Sequence, residues 1–302
     1  MSDFVRSHSS VCDFRGSDSW VILSEIEQSI KNKIEAIGTP LKDWDIQINY
    51  GIKTGFNDAF IISTEKRDEI LANCKTDEER QRTADLIRPI LRGRDIKRYG
   101  YDWAGLYLIA TFPAKHYDID RYPAVKNYLL SIGIEKLEQT GKTHIINGEV
   151  IKARKKTNNK WYETQDSISY WDDFFKPKIC WKAVGRNLTF AIVEAGTFLT
   201  APASFIQAEH VNEYILAYLC SKVGRYFIYK NSDTTGAGDI MLNIQSLIRF
   251  PIPKETKHNL LLANYVSEQN MQYSQDTQNK IDSLIFEIYG FNESEITEIE
   301  SC

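Results

Sequence analysis

No apolar run in these 302 residues approaches the roughly 18 that a membrane-spanning helix requires, so no transmembrane segment is expected. Met1 to Cys12 also lacks the apolar stretch of a secretory signal, which makes the cytoplasm the expected compartment. Cysteine is scarce and scattered. Cys12, Cys74, Cys180, Cys220 and Cys302 are odd in number, widely spaced and without a C-x-x-C, which excludes a disulfide framework or a zinc ribbon and implies reduced thiols. His8 and Cys12 lie close together, but one such pair in a polar stretch does not make a metal site. Positive charge is not in excess either: the formal net charge of −4 excludes a uniformly basic nucleic-acid binder.

What is present is enough apolar material, 42% of the chain, for one large domain or two modest ones. The charge is unevenly placed. Lys142 to Arg186 carries ten Lys/Arg against five Asp/Glu, whereas Lys254 to Cys302 carries three lysines against nine acids. A basic middle and an acidic tail imply that a polyanion, if one is bound, meets the middle. Arg88 to Arg98 adds a second basic concentration, with Arg88, Arg92, Arg94, Lys97 and Arg98 against Asp95 alone, around Gly93. A solvated turn in which Asp95 pairs with an arginine would read the same way.

Taken in order, Met1 to Gly16 is a polar arm. Ser17 or Asp18 is placed to cap a helix with Ile22, Leu23, Ile26, Ile30, Ile34 and Ile37 on one stripe, ended by Gly38 and Pro40. Trp44, Ile46, Ile48 and Tyr50 alternate with polar residues as in a half-buried strand, and the run Ala59 to Ile62 predicts a second strand. Between them, Gly51 and Gly55 flank Lys53 and Thr54, with Asn57 just beyond. That composition suits either a phosphate-contacting loop or a tight turn with polar filling. Thr76 to Glu79 reads as a capping box for a helix running to about Ile87, where Pro89 opposes continuation. Leu106 to Thr111 is a predicted buried strand, and Pro123 opens a helix to about Gln139.

Gly141 to Lys160 is polar, basic and rich in Asn and Thr, and is read as a surface loop whose end is anchored by Trp161. Strands are predicted around Ile179–Trp181, Leu188–Val193, Phe198–Leu199 and Ser204–Ile206, and a helix over Ile215 to Phe227. Gly236 to Gly238 lacks a Walker lysine and a preceding strand, so it is not a nucleotide loop. Leu260 to Tyr289 reads as one helix closed by Gly290, followed by a short helix that Asn292 and Glu295 box.

The stretch Gly51-Ile52-Lys53-Thr54-Gly55-Phe56-Asn57-Asp58-Ala59-Phe60 resembles the G-I-x-T-G-x-N-x-A-F signature of the TaqI-like specificity domain. That domain is the C-terminal target-recognition part of type IIG restriction-modification enzymes and related adenine-specific DNA methyltransferases. Further similarities follow in the family's order: Ile87 to Ile96, Gly105 to Ile109, Tyr122-Pro123, Trp161-Tyr162, Lys176 to Ile179 and Phe250 to Pro253. The resemblance implies duplex DNA as partner, methyltransferase or nuclease domains in cis or in trans, and terminal helices that act as spacers or docking surfaces. With it, the fold is expected to be α+β: a curved, mostly antiparallel sheet with flanking helices, plus N- and C-terminal helical segments. The boundaries drawn are an arm and connector helix over 1–43, a target-recognition domain over 44–254, and a helical tail over 255–302.

The catalytic signatures that such a domain serves are missing from the sequence. No Asn-Pro or Asp-Pro dipeptide occurs, so there is no tetrapeptide to grip a flipped adenine, and no glycine loop after a convincing strand to hold S-adenosylmethionine. Glu149-Val150-Ile151-Lys152 has one residue too many for the acid-x-lysine pattern of metal-dependent nucleases, and the histidines are scattered. No cofactor is therefore expected in this chain; S-adenosylmethionine and Mg would belong to the catalytic parts.

The candidate DNA-contacting residues are Lys53, Thr54 and Asn57; Arg92, Arg94, Lys97 and Arg98; Lys152, Arg154, Lys155, Lys156, Asn158, Asn159 and Lys160; and Lys178, Lys182 and Arg186. Among them Arg154, Lys155, Asn158 and Asn159 have the donor and acceptor chemistry for base edges, with Lys178 to Asn187 as the fallback. Three other functions are compatible with the residues: a cryptic metal-dependent nuclease, a protein-interaction adaptor and an RNA-binding module.

Overall fold

Residues 23–210 and 212–302 are described in the computed structural model. Two compact units divide the chain. One is formed by Gln47–Asn212, the other by the segment up to Ile46 together with Glu213–Cys302. Residues 213–254, grouped with the sheets in the sequence reading, thus fall in the second unit.

The first unit is built on two four-stranded sheets. Lys178–Trp181 lies inside one of them, antiparallel to Phe190–Val193 on one side and to Ser204–Ala208 on the other, with Ala191 and Phe205 both opposite Cys180. Ile46–Tyr50 lies beside Ser204–Ala208 at the edge. Every residue of Lys178–Trp181 and of Ser204–Ala208 is buried, including Lys178, Ser204 and Gln207, which is why neither strand shows the apolar–polar alternation of a half-exposed one. In the second sheet Leu106–Ile109 is antiparallel to both Ile61–Ser63 and Ile87–Leu91, and Phe198–Leu199 adds to Ile87–Leu91 in parallel. The α+β class and the mostly antiparallel pairing are as expected; the pairing is shared between two sheets instead of one.

Aromatic rings fill the core of this unit. Phe174 stacks on Phe198 with centroids 4.3 Å apart and touches Phe205 at 4.9 Å, while Trp171 closes on Phe198 at 5.3 Å. Phe174, Phe198 and Phe205 are fully buried, each contributing roughly 1.5–3 kcal/mol by removal from water. Asp77–Leu86 starts where the capping box places it, with Thr76 accepting from the Glu79 N–H. It gives way to the strand Ile87–Leu91, two residues before Pro89. The Pro123 helix stops at Ile132, because Gly133 takes φ +104°, and resumes as the short turn Ile134–Leu137. Asn57–Phe60 is a helical turn, so the strand expected from Ala59 begins only at Ile61.

The second unit is helical. Ser24, in extended conformation, boxes the helix Glu25–Ile37 with Glu27; the caps expected at Ser17 or Asp18 lie outside the described residues. Ile30 and Ile34 of this helix are buried. Its polar side meets Glu293–Glu300: Lys33 reaches Glu295 at 2.6 Å and Ser29 donates to the same carboxylate. The Phe250-to-Pro253 stretch is held by a two-stranded ribbon, Thr39–Pro40 against Pro251–Ile252, and by Tyr289 and Tyr214, which donate to Pro251 and Pro253 carbonyls. Two expected single helices are each two helices. Ser221 caps Lys222–Asn231 after Asn212–Leu219, and Ser274 caps Gln275–Tyr289 after Asn259–Met271. Gly290 in the left-handed region and the Asn292–Glu295 box close the chain as the sequence predicts.

Candidate nucleic-acid interface

The glycine loop is pinned from beneath by backbone. Gly51 N–H donates to Ala203 at 2.7 Å, Ile52 N–H to Leu199 at 2.7 Å, and Ala201 N–H returns a bond to Ile52 at 3.0 Å. A Cβ on Gly51 would lie 2.6 Å from the Thr200 carbonyl carbon, so this approach requires glycine. On the other side, Asp166 and Gln165 N–H groups donate to the carbonyls of Lys53 and Thr54, and Lys53 N–H donates to the Asp166 carboxylate. Thr54 is buried. Its hydroxyl donates to Asn57 Oδ1 at 2.7 Å and accepts from the Phe56 N–H at 3.1 Å. A phosphate contact from Thr54 is therefore corrected to a structural role, while Lys53 and Asn57 are exposed.

Arg154 ties this loop to the segment behind it. Its Nη1 donates to the carbonyls of Thr54 (3.1 Å) and Glu163 (2.8 Å), Nε to Leu137 (2.7 Å) and Nη2 to Trp161 (2.6 Å). The guanidinium lies 5.0 Å from the Phe60 ring centroid and is buried, and burial lowers its pKa to about 10. It remains charged at neutral pH. With its donors spent on four carbonyls it is not placed to reach base edges, and that expectation is corrected: a planar fork that satisfies several carbonyls at once is what arginine supplies and lysine does not.

Asn159 is corrected on the same ground, since its amide donates to the carbonyls of Thr164 and Gln165. Lys178 is fully buried, and its ammonium donates to the carbonyls of Phe174, Lys176 and Glu194, so it too is a core residue rather than a DNA contact. Burial pushes its pKa down to about 8.

Cations from the two basic regions do converge at one place. A cleft of about 430 Å³ is lined by Arg92, Arg94 and Lys182 over Thr200 to Ala203. Gly93 makes the meeting possible, since a Cβ there would already be 3.2 Å from that of Lys182. Arg92 is committed to Asp95, through Nε at 3.0 Å and Nη2 at 2.7 Å. Burial alone would raise the Asp95 pKa, but the bonds and charge of Arg92 outweigh it and hold the carboxyl below its usual range. That is the pairing the solvated-turn reading foresaw. Arg94 and Lys182 form no ion pair among the described residues, so they are the cations the cleft offers. Lys97 is exposed, bonded to the Arg94 carbonyl and 3.7 Å from Asp102; Arg98 and Arg186 are exposed as well.

The basic stretch expected as a free loop is in part a β-hairpin. Thr143–Ile146 pairs antiparallel with Glu149–Lys152, and Asn147 and Gly148 at its tip both take positive φ, as a two-residue type I′ turn demands. Asn-Gly between two β-branched runs is the sequence signal for this hairpin, set within a polar, basic surrounding. Lys152, Lys155, Lys156, Asn158 and Lys160 are exposed, with Lys160 set 5.6 Å from the Tyr162 ring centroid.

The TaqI-like C-terminal specificity domain model matches residues 88–252, more than half of the chain. No curated protein sequence matches it. Among solved structures, the type IIL restriction-modification enzyme MmeI, solved in complex with DNA, is 12% identical with a TM-score of 0.57, over 86% of this chain and 35% of that one. The type IIG restriction endonuclease BpuSI is 13% identical with a TM-score of 0.46, over 87% of this chain and 32% of that one. The chain thus spans about a third of the length of these enzymes. At such identities the likeness to MmeI concerns the fold alone, and it agrees with the α+β architecture; the family match rests on the sequence itself, and by it the chain belongs to the TaqI-like C-terminal specificity domain family.

Proposed function

We propose that this chain recognises duplex DNA for a restriction-modification system, and that methyltransferase or nuclease parts, in cis or in trans, carry the S-adenosylmethionine- and Mg-dependent chemistry. The observation that carries this reading is the cleft in which Arg94 and Lys182, far apart in sequence, come together within the family-matched region. Two cations that form no ion pair among the described residues, beside a third that is neutralised, suit a phosphate backbone. Membership of a specificity-domain family supports it, as does a fold shared with an enzyme solved on DNA. Lys53, Asn57, Arg94, Lys97, Arg98, Lys152, Lys155, Lys156, Lys160, Lys182 and Arg186 are the exposed or part-exposed contacts of this proposal, with Asn158 and Lys155 retained for base edges. The reading extends to a cytoplasmic home, and no described helix is long and apolar enough to cross a membrane.

The test is duplex binding by the whole chain at several salt concentrations. The logarithm of the affinity should fall against the logarithm of salt with a slope of about −0.9 per neutralised phosphate. Affinity that does not change between low and moderate salt would remove the proposal.

A further inference from the structure

We infer that the outward face of the Thr143–Lys152 hairpin enters the major groove, and that Ile145 and Val150 there contact the 5-methyl groups of thymines; this rests on the duplex-recognition reading above. The pairing register puts Ile145 opposite Val150 and Thr143 opposite Lys152. Successive strand residues face opposite ways, so these four share one face. The other face, with His144, Ile146 and Ile151, is half-buried. The outward face is bare: Ile145 is 77% exposed and Val150 72%. Two branched aliphatic side chains directly opposite each other form a small apolar knob at the end of a ribbon.

The base of the ribbon is fixed. Ala153 N–H donates to Lys142, Gly141 N–H to Arg154 and Arg154 N–H to Glu138, so the hairpin rises directly from the residue that clamps the glycine loop. Charge decides what the knob meets. Lys142, Lys152, Lys155 and Lys156 are exposed around the base and form no ion pair among the described residues. The hairpin's one acid, Glu149, is paired with Ile146 on the other face. An apolar tip flanked by exposed lysines matches a groove whose floor carries methyl groups and whose walls are phosphates, and a two-stranded ribbon fits the major groove.

The experiment first enriches duplexes from a random library with the whole chain, then remakes them with deoxyuridine in place of thymidine, which removes only the methyls. The wild type should lose about fourfold in affinity for each contacted methyl, the factor carried by one buried methyl-sized group. A chain with Ile145→Thr and Val150→Thr together keeps β-branching at both positions. It should melt like the wild type, bind the thymidine duplex more weakly and lose less affinity than the wild type on the exchange, since each threonine keeps a single methyl. Equal wild-type affinity for both duplexes, or a double variant that binds like the wild type, overturns the inference and leaves the hairpin face to a protein partner. Enrichment of no duplex at all overturns the duplex-recognition reading along with it.

Discussion

The guanidinium of Arg154 donates to the carbonyl of Thr54 at 3.1 Å, joining residues 100 positions apart in the chain. It makes the glycine loop and the base of the hairpin parts of one rigid assembly, because the same side chain also holds the carbonyls of Leu137, Trp161 and Glu163.

Replacing Arg154 by alanine leaves four carbonyls without these donors and should lower the unfolding free energy by about 3 kcal/mol or more. Lysine should rescue only part of this, since one ammonium cannot reproduce the fork. Urea denaturation of the three proteins measures it. If Arg154→Ala instead unfolds like the wild type and changes which bases are preferred, Arg154 reads bases after all.

Gly51→Ala is predicted to destabilise by roughly 1–3 kcal/mol, as overpacking does, because the new methyl meets Thr200 backbone rather than a movable side chain. Gly236→Ala, with no atom of the described residues within 4 Å of the added methyl, is the control. Thermal melts of both variants decide it; similar melting temperatures would count against the close approach.

Arg94→Ala and Lys182→Ala should each weaken binding to all duplexes alike and shrink the salt slope by about 0.9, the signature of one lost phosphate contact. Arg92→Ala should act mainly on stability, through the unpaired Asp95 it leaves behind. A shift in preferred sequence for Arg94→Ala, with general affinity kept, would assign it to bases.

Lys178 gives a pH signature. Its pKa is about 8 in the folded protein and near the ordinary lysine value of 10.4 when unfolded, so between those values the unfolded chain holds the proton that the folded one has released. Stability of the wild type relative to Lys178→Met should therefore rise by roughly 2–3 kcal/mol from about pH 8 to about pH 10.4. A flat difference across that window would mean that the three carbonyls keep the ammonium charged despite its burial.

Short-range pattern was enough for the local features. The Thr76 and Asn292 boxes, the Gly290 cap and the buried strands at Ile179 and Ser204 all depend on neighbouring residues, and the family match spans residues 88–252, beyond the Gly51-to-Phe60 stretch. The hairpin too was legible, in Asn147-Gly148, a local signal set within a polar stretch. Which cations face solvent was set by long-range packing. Arg154 and Lys178 look in sequence like Lys155 and Lys182, because charge is a property of the residue whereas burial depends on carbonyls brought from distant segments. The same holds for the cleft: that Gly93 lets Lys182 lie beside Arg94 follows from how strands far apart in the chain pair and pack, which short-range pattern does not encode.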